Sequence, residues 1–385
     1  MKRARRWWLN LHLWTGLALG AVFALLGLTG SLLVFYPEID RALNPVLRPS
    51  APAAQIASVQ AVADRLRGWY PEREGGWRIE LPLNENTPVI ARYAHPAERD
   101  GRSFSPLMVT LDPVTLQRTS DRIWGDYLVT WIYDLHYTLL FDTTGKLMVG
   151  IIGLVMLLSL ISGLWLWWPS LTRWRAVLRP ELREGAVRRN YDLHVLGGAY
   201  GAVLLIVLAL TGAGLALPEQ TRSLLDGVLV VKPMPEVAAY AGVDTAVLID
   251  LDDAVAIARE YFPEADLRWV DVPGIGEGPI SIRLHQPGEP GRRFPKTRVW
   301  LDPYGGEILA VRDPAENAAG NVVLDWLHPL HNGEAFGLAG RWLAFASGFV
   351  PLLLFVTGFI RWRQKQKARS RQKLRLTARI PDEVS

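Results

Sequence analysis

The chain has no cysteine in its 385 residues. This excludes disulfide staples, iron–sulfur clusters, thiolate-held metals and cysteine zinc sites, so any metal chemistry falls to His, Met, Asp or Glu. Acidic residues are missing from four long apolar runs, at about residues 13–36, 147–168, 193–217 and 342–360. Each run has roughly the 20 residues that a helix needs to cross a bilayer. A proton relay through the spans therefore lacks a carboxylate to continue it. A nucleotide-binding glycine fingerprint is missing too. The Gly-rich segments lie inside apolar helices and follow no strand, which argues against a nicotinamide or flavin site.

Half of the residues are hydrophobic although 21% are charged, and mean hydropathy is +0.12. That combination points to membrane segments. Several of the 16 tryptophans stand at the ends of the runs, where the membrane interface favours them. Lys2, Arg3, Arg5 and Arg6 precede the first run as they would in a signal peptide. The run is too long for one, and Phe35 and Tyr36 stand where small cleavage-site residues would be, so it reads as an uncleaved span. The basic N-terminus, the link with Arg173, Arg175, Arg179, Arg183, Arg188 and Arg189, and the tail RWRQKQKARSRQKLR all fall on one side of a four-pass chain. The positive-inside rule makes that side cytoplasmic, with both termini in the cytoplasm. The formal charge of +4 then reflects orientation signals touching anionic lipid heads, and no nucleic-acid partner is needed.

The expected order of segments is an N-terminus and first span (1–36), a soluble module (37–126), a histidine helix and second span (127–168), and a basic loop (169–192). A third span (193–217), a second soluble module (218–325), a histidine motif with the fourth span (326–362) and a basic tail (363–385) follow. Each soluble module opens with a helical stretch, at 57–70 and 251–262. Each continues with alternating strands around a Leu-Asp-Pro triplet, Leu111-Asp112-Pro113 or Leu301-Asp302-Pro303. The fold class is a membrane α-helical protein with four transmembrane helices and two α+β modules.

The halves repeat. His12 and His194 each stand 17 residues before a Thr-Gly pair, Thr29-Gly30 and Thr211-Gly212. His136 and His331 stand nine before Gly145-Lys146 and Gly340-Arg341, and 27 before Gly163 and Gly358. Trp131 and Trp326 stand five before those histidines, and His95 and His285 stand 17 before Asp112 and Asp302. Both halves run in the same direction, giving parallel repeats about an axis near the membrane normal.

The four histidines form two matched pairs, His12 with His194 and His136 with His331. A pseudo-two-fold axis would bring each pair face to face, an arrangement suited to axial ligation of a haem iron between facing helices. The alternative is a set of interfacial histidines bonded to headgroups or backbone carbonyls. His328 has no match, since Tyr133 holds that place, and it stands as an alternative ligand, a supporting partner or a surface residue. Arg189, Arg341 and Lys146 are candidates for propionate or headgroup contacts. Trp8, Trp14, Trp131 and Trp326 read as interfacial packing, and His95 and His285 as structural or surface residues.

The stretches HLWTGLALG…LTGSLLVF, DLHYTLLF, DLHVLGGAYG…LALTG and LHPLHNGEAFGLAGR resemble the PepSY-associated transmembrane family over nearly the whole chain. The soluble modules look like PepSY domains. Within the family the chain is most similar to inner-membrane siderophore–iron reductases of the ferrioxamine type. That resemblance implies a bacterial inner-membrane location with periplasmic modules. It implies two bis-His haem b groups on His12, His194, His136 and His331, with His328 in reserve. It also implies an oxidoreductase that passes electrons across the membrane to a ferric siderophore in the periplasm, fed by quinol or a separate cytoplasmic reductase. Two other classes fit the same residues: a membrane-anchored PepSY protein that binds a peptidase or peptide, and a siderophore or metal transporter.

Overall fold

The structure is a computed structural model that describes residues 2–53, 56, 58–168, 185–237, 248–274 and 278–377. Arg173, Arg175, Arg179 and Arg183 of the basic link, and the end of the tail, lie outside these. Four helical stretches are long and apolar enough to cross a membrane: Arg3–Val34, Asp142–Trp167, Gly185–Ala216 and Glu334–Leu374. The protein is a multi-pass membrane protein with a separate antiparallel sheet domain.

The helices are α1 (Lys2–Val34), α2 (Tyr36–Leu43), α3 (Val59–Trp69), α4 (Leu128–Thr138), α5 (Asp142–Trp167), α6 (Gly185–Ala216), α7 (Pro218–Asp226), α8 (Leu251–Tyr261), α9 (Ala319–His331), α10 (Gly337–Ser347) and α11 (Val350–Thr377). In the bundle, α5 packs along α6, and α1 along α11. Ile151, Leu154, Leu158, Ile161 and Trp165 are exposed along one face of α5, at the spacing of a lipid-facing stripe.

Two features depart from a plain four-span reading. The second span begins earlier than residue 147 and is preceded by the short helix α4. The chain turns between the two through Leu139, Leu140 and Asp142, all at positive φ. The fourth span is split after Ser347, ahead of Pro351, which cannot donate a helical hydrogen bond. Ser31 Oγ from α1 donates to the Phe345 carbonyl at 2.7 Å, so a backbone group beside the break is satisfied by a neighbouring helix. Gly27 and Gly348 cross there, and a Cβ on either would run into the other's carbonyl.

The strands are β1 (Trp77–Glu80), β2 (Val89–Tyr93), β3 (Leu107–Leu111), β4 (Arg118–Ile123), β5 (Asp266–Val272), β6 (Ile280–His285), β7 (Thr297–Leu301) and β8 (Ile308–Arg312). Where the sequence suggests two modules, the structure joins their strands into one eight-stranded sheet of order β4-β3-β2-β1-β5-β6-β7-β8. The seam is the antiparallel pair β1–β5, with Ile79 opposite Val270. Alternation along the strands sends Ile79, Val89, Val109, Ile282, Leu284 and Val299 to one face, where they pack with Val62 and Leu66 of α3 and Leu251 of α8. The helices are capped by Ser58 and Asp250. Asp252 also accepts from Ser58 Oγ (2.5 Å) and the Val59 amide (2.7 Å), tying α8 to the start of α3.

The opposite face of the sheet is polar and turns toward the bundle. Arg122 pairs with Asp40 of α2 at 2.7 Å, and Arg312 with Asp325 of α9 at 2.8 Å. Trp124 Nε1 donates to Asp134 of α4 at 2.9 Å. The sheet therefore sits at the end of the bundle where α1 and α6 finish.

Candidate functional site

The four repeated histidines come together in the two expected pairs. The His12 and His194 rings have centroids 6.3 Å apart, and those of His136 and His331 are 6.1 Å apart. Two imidazoles that share one metal at about 2 Å, each with its ring centre about 1.1 Å behind the nitrogen, stand about 6 Å apart.

All four rings sit in the same kind of seat. His12 Nδ1 lies 3.0 Å from the Ser159 carbonyl and 3.2 Å from Ser162 Oγ on α5. His194 Nδ1 lies 3.1 Å from the Leu354 carbonyl and 3.0 Å from Thr357 Oγ1 on α11. His331 Nδ1 lies 3.1 Å from the Leu208 carbonyl and 3.0 Å from Thr211 Oγ1 on α6. His136 Nδ1 lies 3.1 Å from Thr29 Oγ1 on α1, and the Leu26 carbonyl is its backbone partner. In every seat the carbonyl belongs to the residue three before the hydroxyl residue.

A carbonyl only accepts, so each Nδ1 carries the proton. The hydroxyls already donate along their own helices, as Thr211 Oγ1 does to Val207 at 2.7 Å, and so accept from the ring. Each Nε2 is then an unprotonated nitrogen without a protein hydrogen bond among the described residues, the tautomer that a metal ligand requires. Burial, and after it the neighbouring His331, hold His136 down to about 4, and burial lowers His331 as well. These two imidazoles stay neutral at pH 7.

The residue after each hydroxyl is glycine. A Cβ on Gly30 would meet His136 Cε1 at 2.9 Å, and one on Gly163 would meet His12 Cε1 at 2.9 Å. On Gly212 it would meet His331 Cε1 at 2.8 Å, and on Gly358 His194 Cε1 at 3.1 Å. Thr29-Gly30, Thr211-Gly212, Gly163 and Gly358, the landmarks of the repeat, are thus the surfaces on which the histidines rest. Within a half the exchange is reciprocal: α1 sends His12 to α5 and seats His136 of α4. The Ser/Thr-Gly dipeptides are visible in the sequence, but their role as seats is not, because each serves a histidine more than 100 residues away.

The residue set fits a bis-His haem. The spacing, the tautomer and the small residues beside each ring would suit a flat macrocycle between facing helices. Among the described residues there is no group of three or more His, Asp or Glu that could hold a metal by protein ligands alone.

His328 is outside the pairs. Its ring packs on Phe294 at 4.3 Å, and Asn332 lies 3.4 Å from its Nδ1. Tyr133, at the matching place, packs edge-to-face with Tyr36 (5.8 Å) and Trp124 (5.0 Å). Arg341 donates to the Val34 carbonyl at the end of α1 (2.8 Å) and to Glu38 (2.7 Å). Lys146 stands over Tyr137 at 5.3 Å, and Arg189 is exposed. Trp14, Trp131 and Trp326 are exposed, as interfacial residues would be. His95 is exposed on the sheet domain and His285 lies on β6, both away from the pairs.

Among known proteins, the uncharacterized protein PA4219 of Pseudomonas aeruginosa is 26% identical over 267 residues, or 65% of this chain. The chain spans 66% of that relative's length. The model of the PepSY-associated TM region matches residues 9–365, nearly the whole chain, and the protein belongs to that family.

Proposed function

We propose that the protein holds two haem b groups and carries electrons through the membrane to ferric iron bound by a siderophore. One group would lie between His12 and His194, the other between His136 and His331. The observation that carries this reading is the fourfold seat, in which carbonyl, hydroxyl and glycine present each imidazole as a neutral Nε2 ligand about one bis-His spacing from its mate. Haem b supplies a one-electron ferric/ferrous couple when bound.

The chain's own residues do the rest. The carbonyl and hydroxyl acceptors fix each ring's tautomer and orientation and raise its basicity as a ligand. The glycines let each imidazole lie close against the helix that seats it. His12 and Gly30 lie 18 residues apart on α1, so the two pairs stand about 27 Å apart along the helix at 1.5 Å per residue. Phe355, packed on Gly20, fills the interior between those levels.

By the positive-inside rule, the end bearing Arg3, Arg5, Arg6 and Arg188 is cytoplasmic and the sheet is periplasmic in a bacterial inner membrane. Quinol or a separate reductase is the donor. The substrate is a ferric chelate. Hard oxygen donors hold Fe(III) well and Fe(II) less well, so one electron per iron loosens it. No acid, base or nucleophile is required.

The test is anaerobic. The purified protein is reduced with dithionite, freed of excess, and mixed with a ferric siderophore and a ferrous-specific chromogenic chelator. Ferrous iron should form as the reduced α-bands decay. His136→Ala or His331→Ala should remove one spectral component, and His12→Ala or His194→Ala the other. A colourless protein, or reduced bands that persist beside the ferric chelate, contradicts the reading.

A further inference from the structure

The polar face of the sheet is unevenly charged. In the first half, Arg92 and Glu80 pair one to one at 2.5 Å. At the seam and beyond it, a single carboxylate, Asp271, serves three guanidiniums. Arg78 Nε lies 2.5 Å away, Arg283 Nε 3.3 Å and Arg298 Nη2 3.7 Å. Among the described residues none of these arginines pairs with another carboxylate, which leaves two positive charges without a counterion. Burial pulls Arg283 down to about 10, Asp271 offsets part of that, and Arg78 and Arg298 push it further.

Two members of the cluster, Asp271 and Arg298, line a cavity of about 360 Å³ together with Ser281, Trp300, Met234 and Pro235, among others. That volume is within the range of small-molecule sites. The guanidiniums lie over indoles: Arg78 and Arg283 over Trp269 at 4.7 and 4.9 Å, and Arg298 over Trp300 at 4.5 Å. Stacking of this kind holds the cations in place and leaves their edges for an anion. Trp269 continues to Phe294 at 5.6 Å, and Phe294 to His328 at 4.3 Å, one helical turn before His331. Ring contacts thus run from the charge surplus as far as His328, three residues before His331.

We propose that this cavity binds an anionic, oxygen-rich metal chelate, anchored by Arg298 beside Trp300, with Arg78 and Arg283 adding positive charge from behind Asp271. That the metal is ferric iron rests on the electron-transfer reading above, whereas the preference for an anion rests on the guanidiniums alone. A carboxylate or catecholate of the chelate supplies the missing counter-charge through a bidentate contact to Arg298. A cationic chelate is repelled.

Gallium(III) citrate, which accepts no electron, is the probe, titrated against the full-length protein in detergent by calorimetry and Trp fluorescence. A cationic gallium(III) trihydroxamate is the comparison. The citrate complex should bind at least about tenfold more tightly, and Arg298→Gln should weaken it about tenfold, the worth of one charge-assisted hydrogen bond. Asp271→Asn removes the competing carboxylate and should tighten binding, which also guards against an arginine variant that merely unfolds. Equal affinity for the two complexes, weaker binding by Asp271→Asn, or binding unchanged in Arg298→Gln overturns the site. The two readings fail separately: a red protein that ignores gallium citrate sinks only the cavity, and a colourless one that binds it sinks only the haem.

Discussion

One helical turn before His136 the first half places Tyr133, packed edge-to-face with Tyr36 and Trp124. One turn before His331 the second half places His328, packed on Phe294. Below that level the halves coincide: each histidine has a carbonyl, a hydroxyl and a glycine at matched positions. Above it they diverge, with a balanced Arg92–Glu80 pair on one side and Asp271 amid three arginines on the other. A duplicated chain can vary freely wherever its copies do not share a task. Agreement at the seats is what gripping one shared group, as proposed, would require, and divergence on the sheet is what the proposed ligand site in one half would produce.

The strongest way to break the likeness is at a seat. Gly212→Val puts a branched side chain where even a methyl would stand 2.8 Å from His331 Cε1, and Gly30→Val does the same beneath His136. Both should abolish the same spectral component and leave that of His12 and His194 intact in absorbance spectra of the purified protein. Different components lost from the two variants would deny that the halves share a group.

Thr29→Val and Thr211→Val are milder, because each keeps the carbonyl partner and loses the hydroxyl. Each should weaken haem retention about tenfold, the usual scale for a supporting hydrogen bond behind a metal-bound histidine. Competition with apomyoglobin would measure it, and the two variants should behave alike.

The sheet offers a test of acid stability at Asp112. Burial would raise the Asp112 carboxyl, but amides of Thr115, Ser50 and Val114 outweigh it and hold it at about 2. Its folded pKa lies below the unfolded value, so its stabilisation is present above about pH 4 and is lost as pH falls toward 2. Asp112→Asn should cost on the order of 2 kcal/mol at pH 7 and much less near pH 2. Thermal melts at the two pH values would show a gap that closes on acidification.

His328→Tyr makes the second half resemble the first and should do least to the spectrum. Both components should remain if His136 and His331 are the ligand pair, as proposed. Loss of either would make His328 a ligand.

Much of this arrangement is legible in the sequence. Hydropathy places the four spans, and identical spacings pair the histidines, because gapless coincidences survive only where geometry demands them. The partners of those spacings are harder to read. Ser162-Gly163 and Thr29-Gly30 look like ordinary small-residue helix positions until the fold sets His12 and His136 against them. The β1–β5 seam leaves no local sign, since edge pairing uses backbone groups common to every strand. The turn at Leu139, Leu140 and Asp142 is hidden because residues other than glycine rarely take positive φ, and only the tertiary context enforces it there. The link from Trp269 through Phe294 to His328 joins residues far apart in the chain, and periodicity carries no trace of it.

Haem quantified by pyridine haemochromogen against protein mass tests most directly whether equivalent imidazoles from the two halves grip a common iron ring. Two haem b per chain are expected in the wild type, one after either pair is replaced by alanine, and none when all four histidines are replaced. Haem that persists in the fourfold variant, or a wild-type protein that carries none, would contradict it.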